Sequence, residues 1–147
     1  MQRIAWWTFG GIAFMVFILL VFLGTRGGIW RNASDGIQTV TIPQSWTRQK
    51  APPGVVWFVS PQNKETCLWL VSATHAPFYP GAHTQRLPSP QLNIVEWQVS
   101  TDQSGIHVMN LYGIYRYDRR YRAIHIEVPK NQLALGSQIL GSWQPIS

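Results

Sequence analysis

The sequence predicts an α+β protein: an N-terminal transmembrane helix, then a small antiparallel-sheet domain with a C-terminal helix packed on the sheet. Three observations carry this. Ile4 to Leu23, IAWWTFGGIAFMVFILLVFL, is a run of twenty residues with no charge and only Thr8 polar. From Gly36 onward, short segments rich in β-branched and aromatic residues alternate with Pro, Gly and Asn, which is the pattern of strands. After Pro129 the apolar residues change to helical spacing, with Leu133, Gly136, Leu140 and Trp143 near one face.

The apolar run comes first. At about 1.5 Å per residue, a helix of that length crosses a bilayer core of roughly 30 Å. A cleaved signal peptide would have a shorter apolar region followed by small residues, and Leu23-Gly24-Thr25-Arg26 offers no such cleavage pattern. Trp6, Trp7 and Trp30 bracket the run as an interfacial belt would. Residues 1–25 therefore read as a retained anchor, 26–36 as a linker and 37–147 as the water-exposed domain. Arg3 on one side nearly balances Arg26 and Arg31 on the other, so charge does not orient the helix. The very short N-terminal tail is that of a signal-anchor, which places the C-terminal domain on the periplasmic face of a bacterial inner membrane. Asn32-Ala33-Ser34 fits a glycosylation sequon but lies so near the membrane that it reads as a chance match.

Within the domain, Ile37 to Ile42 reads as the first strand, stopped by Pro43. Val55 to Val59 and Thr66 to Thr74 read as a hairpin around Ser60-Pro61-Gln62-Asn63-Lys64. Between His75 and Gln91, Pro77, Pro80, Pro88 and Pro90 remove backbone donors and fix φ, which predicts a long ordered loop. Leu92 to Ser100, Ile106 to Tyr117 and Arg122 to Val128 form a meander, because their connections are too short for a crossover. Asn131 is positioned to cap a helix from Gln132 to about Leu140.

Composition narrows the chemistry. Twelve Lys and Arg against six Asp and Glu give +6, which favours an acidic protein, a lipid headgroup or nucleic acid as partner. One cysteine, Cys67, sits in an apolar strand and reads as a buried residue. The four histidines are not spaced as metal ligands, and a hairpin turning near Arg119 would place residue 125 opposite about 113, far from His107. No Gly-x-Ser-x-Gly and no glycine-rich phosphate loop occurs, and the six carboxylates form no pair beyond a possible Glu96 with Glu127. These absences argue against an enzyme and imply no cofactor or metal.

Two segments remain for binding. Phe78 and Tyr79 lie at the centre of the proline-stiffened loop, where they either fold back over the core or dock on a neighbour at low entropic cost. Tyr115 to Arg122 holds four arginines and three tyrosines, with Arg116, Arg119, Arg120 and Arg122 as candidate partner contacts. It also falls where a hairpin must turn, and strand alternation keeps the eight residues from forming one surface. An exported domain meets little nucleic acid, so a protein or a headgroup is the expected partner.

Thr41-Ile42-Pro43-Gln44-Ser45-Trp46, Tyr117 with Tyr121-Arg122-Ala123, and Gln138-Ile139-Leu140-Gly141-Ser142-Trp143 together resemble the PsbP-like α/β family, the fold of an extrinsic photosystem II subunit. The resemblance implies a non-catalytic domain that binds or helps to assemble a larger membrane complex, and it assigns no functional residue. The expected function is thus a single-pass, membrane-anchored accessory or assembly subunit. A tethered module for an anionic ligand or headgroup is the alternative.

Overall fold

The computed structural model of the chain describes residues 28–78, 84–87, 94–103 and 106–146. The expected anchor at 1–25, with Trp6 and Trp7, lies outside the described residues, as does Tyr79. Among the described residues no helix is long and apolar enough to cross a membrane.

The described residues form β1 (Trp30–Ser34), β2 (Thr39–Pro43), β3 (Thr47–Gln49), β4 (Val55–Val59), β5 (Cys67–Ala73), β6 (Gln85–Leu87), β7 (Ile94–Gln103), β8 (Ile106–Tyr117) and β9 (Arg120–Pro129). A 3-10 turn over Lys130–Gln132 then leads into the helix α1 (Leu133–Gly141). Strands β1 and β2 are a separate hairpin, and the other seven make one antiparallel sheet in the order β3-β4-β5-β9-β8-β7-β6. The domain is a small antiparallel sheet with a C-terminal helix, α+β and mostly sheet.

The core follows from period-two alternation. Val56 and Phe58 on β4, Leu68 and Leu70 on β5, Ile124, Ile126 and Val128 on β9, and Met109 and Leu111 on β8 fall in shared register rows on one face. All are buried in one cluster with Ile139, Leu140 and Trp143 from α1 and its end, and with Ala33, Val40, Ile42 and Trp46 from the β1–β2 segment. At about 1.5–3 kcal/mol for each large apolar side chain buried, this layer is the main stabilising element. Gly136 lets α1 lie close: a Cβ there would come within 2.9 Å of Leu111 Cδ1 and 3.0 Å of Val128 Cγ2.

Several boundaries differ from the sequence reading. The span read as a linker, 26–36, contains β1, whose residues Trp30 to Ser34 pair antiparallel with Pro43 to Thr39. The first predicted strand starts later, at Thr39, because Asp35-Gly36-Ile37 is the bend between β1 and β2, with Gly36 at φ 96°. The proline-dense loop contains β6, whose short edge pairs with β7 from Gln98 to Glu96. Strand β7 continues to Gln103 through the expected turn. Asn131 is not the helix cap: it sits inside the 3-10 turn, and the helix begins after Gln132 with no side-chain cap. The β4–β5 hairpin, the β7–β8–β9 meander and the packing of α1 across the sheet are as predicted.

Candidate functional site

The face of the sheet opposite α1 carries a continuous row. Gln49, Trp57, Trp69, His125 and Tyr112 occupy successive register positions across β3, β4, β5, β9 and β8, and the backbone register runs on through β7 at residue 97 to Arg86 on β6. Because Tyr117 faces Arg120 at the hairpin tip, His125 stands opposite Tyr112, one residue from the expected 113. The Trp57 and Trp69 rings stack at 6.2 Å, Trp69 and His125 at 4.7 Å, and His125 and Tyr112 at 4.3 Å. Phe78 lies over the middle of the row, 5.1 Å from Tyr112 and 5.4 Å from His125. This contact lies on the sheet face opposite the core, so Phe78 is not a lid over the core. Each aromatic contact adds roughly 0.5–1.5 kcal/mol beyond the area it buries.

Beside this row lie Cys67, Glu127 and Asn110, again in one register row. His125 Nε2 is 2.9 Å from Asn110 Oδ1, so the neutral ring carries its proton on Nε2 and donates it. Burial pushes the imidazole from 6.5 down to about 4. Glu127 Oε1 lies 3.7 Å away at the limit of an ion pair and does not restore the charged ring. The Glu127 carboxyl is itself pushed up, first by burial, with the Glu65 charge adding to it against a weak Cys67 contact. Cys67 Sγ is 3.9 Å from Glu127 Oε2. Burial, then the Glu127 charge, push the thiol up to about 12, although the Trp57 indole N–H pulls weakly the other way. That N–H meets no partner at hydrogen-bonding geometry, and Thr66 Oγ1 and Glu65 Oε2 are likewise buried without one.

A thiol, an imidazole and a carboxylate in proximity are the parts of a nucleophilic site. Here their chemistry is suppressed. The thiol faces a carboxylate, which opposes thiolate formation, and the ring spends its proton on Asn110 between stacked aromatics. Among the described residues no three His, Cys, Asp or Glu side chains are placed to hold a metal ion. Glu96 and Glu127 do not pair: β8 lies between their strands, and register puts them on opposite faces. Burial pushes the Glu96 carboxyl upward.

The exposed chemistry gathers at one pole of the sheet, where β5 ends and β4 and β9 begin. A cavity of about 610 Å³ opens there, lined by Ile37, Ser72, His75, Arg120, Tyr121 and Arg122. A second, of about 440 Å³, adjoins it through the shared Ile37 and Ser72 and is lined also by Asp35, Arg48, Pro52 and Pro53. Of the predicted arginines, Arg120 and Arg122 meet in the larger cavity, where Arg122 also donates from Nη1 to Pro145 O at 2.9 Å. Arg116 projects to the opposite face, over the Tyr121 ring at 5.9 Å, and Arg119 occupies the hairpin tip. Trp30, expected in the interfacial belt, is half-buried against the core.

The aromatic row, His75 and Arg48 were not anticipated from the sequence. The signal lay in the turn: a two-residue hairpin at Asp118-Arg119 sets the β8–β9 register, and with it the partner of His125.

One helix across a seven-stranded antiparallel sheet, preceded by a short hairpin, gives this domain a PsbP-like fold. The sequence matches no protein-family model and no curated protein. Among solved structures, the chain is similar to cyanobacterial PsbP from Synechocystis sp. PCC 6803, with a TM-score of 0.54 and 12% identity over 83% of this chain and 96% of that one. It is similar also to a protein of Bacteroides thetaiotaomicron VPI-5482, with a TM-score of 0.54 and 10% identity over 80% of this chain. The match spans about half, 48%, of the Bacteroides protein. At these identities the likeness carries the fold alone.

Proposed function

We propose that this chain is a non-catalytic accessory or assembly subunit, held by its N-terminal apolar run in a bacterial inner membrane, whose periplasmic domain binds another subunit of a membrane complex. The observation that carries this reading is the division of chemistry in the domain. The groups capable of catalysis, Cys67, His125 and Glu127, are packed into an aromatic layer that suppresses their reactive forms. The exposed functional groups are arginines around a cavity, suited to recognition and not to turnover. The similarity of fold to a cyanobacterial PsbP supports the same class.

A tagged full-length chain extracted in mild detergent should emerge with defined subunits in constant ratio, and a reporter fused after Ser147 should be active only outside the cytoplasm. A chain that emerges alone in every mild detergent would overturn the subunit reading. The cationic cavity also favours a second reading, a tethered module for an anionic ligand or headgroup, which predicts retention on acidic liposomes that salt abolishes.

A further inference from the structure

We infer that the two adjoining cavities form a docking groove for an acidic, extended segment of a partner polypeptide. This rests on the reading of the domain as a partner-binding subunit, and it names the surface and the chemistry recognised. The cavities share Ile37 and Ser72, so they flank one apolar ridge, with Ile37 41% exposed. Two hollows on either side of a ridge suit alternate side chains of a strand-like segment better than one compact ligand.

Positive charge predominates on the walls. Arg48, Arg120 and Arg122 line them, and Arg48 and Arg120 are exposed. The carboxylate among the lining residues, Asp35, is already committed. It accepts the N–H groups of Ile37 and Gln38, the Gln38 amide and the Ser72 hydroxyl, which hold it in place, and its one negative charge is outnumbered by the three arginines. Pro52, Pro53 and Pro77 stiffen the rim, which lowers the ordering cost of binding.

The groove and the entry of the described chain lie at opposite ends of one hairpin. Trp30 and Pro43 are paired at one end of the β1–β2 hairpin and Ile37 lies in the bend at the other. At roughly 3.3 Å per residue, the five residues of β1 set the groove about 15 Å beyond the point where the chain arrives from its anchor.

The test uses the full chain in phosphatidylcholine nanodiscs and a labelled peptide of alternating glutamate and leucine, with a glutamine and leucine peptide as control. The acidic peptide should bind and weaken as salt rises. Arg48→Gln and Arg120→Gln should each weaken it about 3- to 10-fold. Ile37→Ser should weaken it without changing the salt slope, and circular dichroism should show all three variants folded. Equal binding of the glutamine peptide, no binding of either, or unchanged affinity in both arginine variants would overturn the inference. So would phosphatidylserine in the disc competing as well as free peptide, which would assign the pole to headgroups. The two readings fail separately. Subunits that co-purify equally with the double arginine variant would remove the groove and leave the partner. A chain that emerges alone yet binds the peptide as described would remove the partner and leave the groove.

Discussion

The ring of Trp143 lies directly over Gly113: a Cβ at position 113 would stand 2.5 Å from Cζ3 and 2.8 Å from Cε3. Trp143 is 4% exposed, and its Nε1–H donates to Gln38 Oε1 at 3.0 Å. The ring is hemmed in and cannot move aside as the end of a flexible chain would. Gly113→Ala should therefore cost about 1–3 kcal/mol through overpacking, read from the urea midpoint by tryptophan fluorescence. An unchanged midpoint would show that the indole has room to shift.

Gln38, fully buried, links Trp143 to Asp35, because its amide donates to Asp35 Oδ2 at 2.9 Å and to Val71 O at 3.0 Å. Burial pushes the Asp35 carboxyl upward. The backbone N–H groups of Gln38 and Ile37 and the side chains of Gln38 and Ser72 together outweigh it, leaving the pKa below the usual 3.8. A depressed folded pKa contributes stability that is present above the unfolded value and lost as pH falls through the folded one. Asp35→Ala should cost roughly 1–3 kcal/mol at pH 7, and this difference from the parent should shrink in acid below about pH 4. A constant gap down to pH 2 would contradict the assigned hydrogen bonds.

Cys67 is 3% exposed, with its thiol pushed up to about 12. Only the thiolate attacks an alkylating reagent. At pH 8 the folded chain should react with iodoacetamide at least about a hundredfold more slowly than the urea-unfolded chain, as followed by mass spectrometry. Labelling at the unfolded rate would reopen a reactive role for this residue.

His125 gives the sharpest pH signature. Its folded pKa of about 4 lies below the ordinary 6.5, so the fold favours the neutral ring. The contribution to stability is whole above pH 6.5, falls between there and 4, and is flat below. Its side chain is only 14% exposed, so the loss should reach roughly 2–4 kcal/mol. Subtracting the same profile for His125→Phe removes the background of other groups, including Glu127. Direct NMR titration of the His125 ring should show a midpoint near 4, and a midpoint near 6.5 would refute the buried, neutral assignment.

How much of this could be read from the chain alone depended on the range over which each pattern acts. Strand β8 was legible end to end, from Ile106 to Tyr117, because it is long and bounded by turn residues. Strand β1 was not, since Ala33 is its only buried side chain and Trp-Arg-Asn-Ala-Ser shows no apolar period. Strand β6, Gln85 to Leu87, is three residues among prolines and exists only because β7 offers an edge. The arginines could be counted but not sorted to faces until the register was known. The aromatic row was out of reach for a related reason. Trp57, Trp69, Tyr112 and His125 become neighbours through three strand pairings, and an error of one residue in any of them moves a side chain to the other face.

That register is set at Asp118 and Arg119, which both have positive φ, 46° and 60°. Positive φ at both central positions is the mark of the type I′ turn, whose twist matches the flanking strands and which Asn-Gly fits best. An arginine there costs about 1–2 kcal/mol against the same backbone in glycine, part of which glycine's unfolded-state entropy takes back. Arg119→Gly should therefore stabilise the domain by roughly 0.5–1 kcal/mol, seen as a raised urea midpoint. Because Arg119 does not line either cavity, the same variant should lose less affinity for the acidic peptide than Arg120→Gln does. A more stable chain with nearly parental peptide affinity would separate the turn's structural role from the groove's recognition role. A loss of affinity equal to that of Arg120→Gln would instead mean that the hairpin tip, and not the cavity beneath it, carries the contact.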